Sequence, residues 1–100
     1  MREIKSQVGR VSTEYFVVEL DAPLKIDFGQ QVEDVIISSP DIDILFGCDY
    51  SKDEDFTPNN AMLLKTFDNM KEISKERCTH LFLMPYKEGT KGRVFIEGQR

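Results

Sequence analysis

The sequence predicts an all-β domain, an antiparallel β-sandwich or jelly roll of about seven to eight short strands. Three observations carry this. Short apolar runs recur along the chain with Gly, Pro, Asn or Asp between them. Most runs alternate with a period of two, which places successive side chains on opposite faces. No stretch carries a long amphipathic helical pattern, and no strand–helix–strand alternation is visible.

The first stretch, residues 1–12, is weakly patterned. Ile4 and Val8 have helical spacing, but Gly9 and the scarcity of apolar positions argue against a helix. It reads as an extended arm or edge strand preceding a single domain over residues 13–100. Thr13–Leu20 is rich in β-branched and aromatic residues, with Tyr15, Val17 and Glu19 on one face and Phe16, Val18 and Leu20 on the other. Asp21-Ala22-Pro23 stops it, because proline has no N–H to extend a ladder. Leu24, Ile26 and Phe28 alternate with Lys25 and Asp27, and Gly29-Gln30-Gln31 reads as a turn.

Val32–Ser38 is the next strand, centred on Val35, Ile36 and Ile37. Ser39-Pro40-Asp41 then breaks the chain before Ile42–Cys48, so the two runs read as a hairpin. Asp49–Asn60 is the longest polar stretch, and its one large apolar residue, Phe56, is placed to pin it to the core. Ala61–Phe67 has strand alternation, and Asp68-Asn69 is a turn signal. Met70–Arg77 is too short for a stable isolated helix and reads as an extended segment turning Ile73 inward, with one helical turn as the alternative. Cys78–Pro85 is apolar on both faces, with Cys78, His80, Phe82 and Met84 opposite Thr79, Leu81 and Leu83. That is the pattern of a central, doubly covered strand. Tyr86–Gly92 is a turn-rich connection to Arg93–Glu97, and these two strands read as a terminal hairpin.

Composition narrows the function. The net charge of −5 and the lack of a basic cluster leave the chain poorly equipped to displace phosphate counterions, so no nucleic-acid partner is expected. No signal-peptide core or membrane-length apolar run is present, which predicts a soluble intracellular product. Cys48 and Cys78 read as buried free thiols, with a disulfide as the alternative. Two cysteines and one histidine without CxxC spacing make a poor zinc set.

Few residues suggest chemistry. Asp49, Asp53 and Asp55 are weak calcium candidates, since their spacing lacks the glycine and flanking helices of an EF-hand. Asp41 and Asp43 share a strand face, expected to be the solvent face. His80 has no nucleophile motif around it and reads as structural. Gly89-Thr90-Lys91-Gly92 is a connection between strands, not a phosphate loop. No cofactor and no enzymatic activity are expected. A glycan- or calcium-binding module is the alternative, although the chain has no Trp and only three Tyr to form a sugar platform.

The order of segments resembles small β-sandwich virion proteins of tailed phages, of the capsid auxiliary, decoration or head-fibre base type. The resemblance is carried by VVEL-DAP, by VEDVIISSPDIDILFG and by THLFLMPYKEGTKGRVFIEG, in which Thr90, Gly92, Val94 and Ile96 have the T-x-G-x-V-x-I spacing of a closing strand. The acidic segment 49–60 and the charged MKEISKER depart from that pattern. The resemblance implies a non-enzymatic structural protein, made in the host cytoplasm and located on the virion. It would bind the major capsid protein or other virion subunits within a large symmetric assembly. Partner-contact candidates are Arg2, Ile4 and Val8 on the arm and Tyr50 and Phe56 on the acidic segment.

Overall fold

The computed structural model describes the backbone of the chain except at Gly9, Asn69 and Met70, and the side chains except at those positions and at residues 71–76. The architecture is all-β. Its strands are β1 (Arg2–Lys5), β2 (Thr13–Leu20), β3 (Leu24–Ser38), β4 (Ile44–Cys48), β5 (Met62–Leu64), β6 (Lys71–Pro85) and β7 (Gly92–Gln99). Single-turn 3-10 segments at Asp53–Asp55, Pro58–Asn60 and Thr66–Asp68 interrupt the connections. The strand order is β2-β7-β3-β6-β4-β5, with β1 added beside β3. The β1–β3 pair is parallel and the other pairs are antiparallel.

β3 and β6 run through both halves of the sandwich. Leu24–Asp27 of β3 lies between β1 and the His80–Leu83 part of β6. Further along, Asp34–Ser38 of β3 pairs with β7, and Asp34–Ile37 pairs with the Lys71–Ser74 part of β6. The register between β3 and β6 slips twice, between Asp27 and Val32 and again before Asp34. Gly29 sits at the first slip with φ +79, a conformation that costs glycine nothing. Extra residues in one strand bend and twist it, which carries a strand from one layer to the other.

The inner faces meet in one core. Leu24, Ile26, Phe28, Ile44, Phe46, Leu81 and Leu83 from one half pack with Val18, Leu20, Val35, Ile37, Val94 and Ile96 from the other. Gly98 marks the close approach of the layers, since a Cβ there would lie 3.2 Å from the Phe28 ring. A second, smaller cluster lies on the outside of β4 and β6. There Leu45 and Phe82 are covered by Phe56, with Tyr50, Ala61 and Met84 around them. Over Leu81–Leu83, β6 is therefore covered on both faces, as its sequence predicts.

Four expectations need correction. Gly29-Gln30-Gln31 does not end a strand, because β3 continues through it as a bent strand. β3 and β4 do not form a hairpin, since β6 lies between them. β6 and β7 do not form one either, since β3 lies between them. The Tyr86–Lys91 connection crosses between layers instead of folding back within one, because β6 ends beside β4 whereas β7 pairs with β2. Finally, Cys78 points into the main core with Leu81 and Leu83 and not outward with Phe82. The alternation slips by one residue between Cys78 and Leu81, where the β4–β6 ladder has ended and the Asp49 carboxylate accepts the Thr79 and His80 N–H groups.

Of the Met70–Arg77 stretch, Lys71–Arg77 is extended as the start of β6, without the helical alternative, and Met70 lies outside the described residues. The inward placement of Ile73 falls outside the described residues. At the N-terminus, Arg2–Lys5 forms β1, and Val8 is fully buried in the core.

Candidate functional site

Two regions combine unusual placement with chemical or binding potential. The first is where β4 ends against β6. Asp49 follows Cys48 directly with φ +56, a left-handed conformation that aspartate tolerates better than most residues. Its carboxylate accepts the backbone N–H groups of Thr79 at 3.0 Å and His80 at 2.8 Å, while its own N–H donates to the His80 carbonyl at 2.9 Å. The Asp49 side chain thus takes up N–H groups that a strand partner would otherwise bind.

His80 lies opposite Asp27 in the ladder, and its imidazole sits between two carboxylates. Nε2 is 3.6 Å from Asp27 Oδ1, and Nδ1 is 3.8 Å from Asp49 Oδ1. Both distances exceed a hydrogen bond, so the contacts act as ion pairs only when the ring is protonated. The imidazole is 36% exposed, the open flank of a sheet and not an enclosed pocket.

Beside this clasp, Tyr50, Phe56 and Phe82 form an aromatic triad. Tyr50 meets Phe82 edge-on at 5.1 Å between ring centroids and Phe56 at 5.3 Å. The Tyr50 hydroxyl donates to the Asn60 carbonyl, closing the acidic segment on itself. Burial, followed by the nearby Cys48 sulfur, pushes the Tyr50 phenol above its ordinary pKa. Gly47 gives the ring its space, because a Cβ there would collide with the Tyr50 side chain. A cleft of about 490 Å³ runs past Phe46, Cys48, Tyr50, Asn60 and Met62.

The second region is the outer face of β2, β7 and β3. Tyr15 is 60% and Val17 47% exposed, and both belong to the face that the period-two pattern turns to solvent. Val17 pairs with Phe95, and Phe95 pairs with Ser38. Tyr15 pairs with Glu97, and Glu97 pairs with Ile36. The Tyr15 and Phe95 rings stack at 6.3 Å, and the Arg93 guanidinium lies 5.7 Å over the Phe95 ring. Tyr15, Ile36, Ser38, Phe95 and Glu97 border a shallow groove of about 240 Å³.

Arg93 is held at the margin of this face by Asp41, whose Oδ2 accepts from the Arg93 N–H at 3.0 Å and from Nε at 3.1 Å. The hydrogen bond from the Arg93 side chain holds the Asp41 carboxyl below its ordinary pKa. Asp43, expected beside it on a solvent face, accepts the Thr66 N–H at 2.9 Å and so ties β4 to the β5 connection.

The sequence-derived contact residues do not converge on one surface. Arg2 is exposed and donates to the Glu19 carbonyl at 3.0 Å. Ile4 is half-buried against the main core, Val8 lies inside it, Tyr50 is half-buried and Phe56 is buried in the second cluster. The calcium candidates separate in role: Asp49 binds backbone N–H groups, Asp53 pairs with Lys25 at 3.2 Å, and Asp55 is exposed. Among the described residues no three His, Cys, Asp or Glu side chains converge to hold a metal ion. The Tyr15–Val17–Ile36–Phe95 patch was not among the contact candidates. Its signal was available in the sequence as large apolar side chains on the same strand face as Glu19, Arg93 and Glu97.

No family model matches this chain, and no curated protein matches it in sequence. Among solved structures, it is similar to a cupin-2 domain containing protein from Shewanella frigidimarina NCIMB 400. The two superpose with a TM-score of 0.53 at 10% sequence identity, over 90% of this chain and 72% of that one. At that identity the likeness concerns the fold alone. It supports the small β fold expected from the sequence, while the phage-virion part of that expectation has no counterpart among these comparisons.

Proposed function

We propose that this chain is a non-enzymatic binding subunit that works through protein–protein contact on the outer face of β2, β7 and β3. The observation that supports this most is the gathering of Tyr15, Val17, Ile36 and Phe95 on one solvent-facing patch bordered by Arg93 and Glu97. Aromatic side chains with an adjacent arginine are the groups that dominate contact surfaces, and a charged rim screens them from water. Following the sequence resemblance, the proposed partner is the capsid lattice of a tailed phage, with the chain as an auxiliary or decoration protein. A small patch suffices in that setting, because many copies on a repeating surface gain strength from avidity.

The test is co-sedimentation of the purified chain with capsids of the phage whose genome encodes it, alongside Tyr15→Glu and Phe95→Glu. These positions are exposed or half-exposed, so both variants are expected to fold. Binding that weakens roughly tenfold or more in each variant supports the proposal, a loss in the range found for interface hot spots. A wild-type chain that remains monomeric in the supernatant overturns it.

A further inference from the structure

We propose that Cys48 and Cys78 are a reversible dithiol–disulfide pair, with Cys48 the entry point for oxidant and Cys78 the buried resolving thiol. Their sulfurs lie 2.6 Å apart, nearer than unbonded sulfur atoms settle, although the residues are 30 positions apart in sequence.

This proximity is built into the backbone. Cys48 is the last residue of β4 and pairs with Leu81. Asp49 then binds the Thr79 and His80 N–H groups and donates to the His80 carbonyl, so the residues next to both cysteines are fastened together without any sulfur bond. The slip in alternation before Leu81 turns Cys78 inward, toward Cys48 at the core margin. In a regular strand Cys78 would face away from Leu81, and the two sulfurs would lie on opposite sides of the sheet.

The environments of the two thiols differ. Cys78 is fully buried. Cys48 is half-buried and lines the open cleft with Phe46, Tyr50 and Met62. A small oxidant, either a peroxide or a low-molecular-weight disulfide, therefore reaches Cys48 first. With hydrogen peroxide, the Cys48 thiolate attacks one oxygen, the O–O bond breaks, and water leaves after protonation to give a sulfenic acid. The Cys78 sulfur then attacks the Cys48 sulfur, the S–O bond breaks, and a second water leaves. Overall, two thiols lose two protons and two electrons, and one peroxide becomes two waters. With a small disulfide, Cys48 forms a mixed disulfide and Cys78 displaces the second small thiol.

The bond would close the chain from β4 to β6 around the acidic segment and β5. Closing a loop of this span restricts the unfolded chain, so the oxidised form is expected to melt roughly 10–20 °C higher.

The test uses the full chain, reduced with excess dithiothreitol, desalted, and exposed to hydrogen peroxide or to oxidised glutathione. The expected product is a monomer two hydrogens lighter, with no thiol open to maleimide after unfolding. A non-reducing digest should contain a peptide pair linking positions 48 and 78. Its raised melting temperature should return to the starting value on re-reduction. Cys78→Ser should accumulate sulfenic acid at Cys48, trapped by dimedone, or the glutathione mixed disulfide. Cys48→Ser should leave Cys78 unreactive until the chain unfolds. The proposal is overturned if the folded wild type keeps both thiols under either oxidant while the unfolded chain oxidises. It is equally overturned if the products are only intermolecular disulfides or over-oxidised cysteine. Because the decisive readouts are on the wild type, a variant that fails to fold does not remove the test.

Discussion

Replacing Phe56 with alanine tests whether the acidic segment 49–60 is held by a single aromatic anchor. Phe56 is 6% exposed, and its ring centroid lies 5.3 Å from Tyr50 and 5.5 Å from Phe82. Removing a buried phenylalanine side chain costs about 3–5 kcal/mol, and each well-placed ring pair carries about 0.5–1.5 kcal/mol of that beyond area alone. Phe56 lies under a surface segment that can settle into the gap, so the loss belongs near the lower end, at about 3 kcal/mol. The polar contacts of the segment do not replace it. The Lys25–Asp53 pair is partly exposed, and such pairs contribute at most about 1 kcal/mol. A domain of this size has a total stability of about 5–15 kcal/mol, so the change should lower Tm by roughly 15 °C.

Urea unfolding should show a lower midpoint with little change in slope. Limited proteolysis should cut Phe56→Ala first within residues 50–60, before the strands are attacked. Phe56→Leu, which restores most of the apolar volume, should recover more than half of the loss. A Phe56→Ala protein within about 1 kcal/mol of wild type, with an unchanged cleavage pattern, would refute the anchor, since that is the size of an ordinary surface substitution.

Three further outcomes are expected. Gly92→Ala should destabilise by about 1–3 kcal/mol in urea, because the new Cβ would lie 2.6 Å from the Asp41 Cβ and the turn must shift to admit it. Asp41→Asn should be less stable than wild type at neutral pH and equal to it in strong acid. The folded Asp41 carboxyl is held below the ordinary value of about 3.9, so its stabilisation is present above that pH and disappears as pH falls through the folded value. Denaturation midpoints across the acid range would check this. At the alkaline end, the Tyr50 phenol should ionise later than an ordinary tyrosine at about 10, and the fold should lose stability as pH rises past that value. Phenolate absorbance of wild type against Tyr50→Phe would identify the lagging group.

The sequence by itself determined where most of the strands lie and, along the regular ones, which side faces inward. Phe16, Val18 and Leu20 against Tyr15 and Val17, or Leu24, Ile26 and Phe28 against Lys25 and Asp27, are legible because a strand places alternate side chains on opposite faces. It also marked Phe56 as the anchor of the acidic segment, since no other large apolar residue is available there. Only the tertiary structure decided which strands are neighbours. Every strand offers the same N–H and C=O groups along its edges, so the pattern that reports a face says nothing about the partner. Cys78–Pro85, apolar on both sides, joins β3 and β4 in a way no local turn could reveal. The meeting of Cys48 with Cys78, and of His80 with Asp27 and Asp49, depends on strand register and on a one-residue slip in alternation. Those arise from long-range pairing, in which a shift of one position exchanges the two faces.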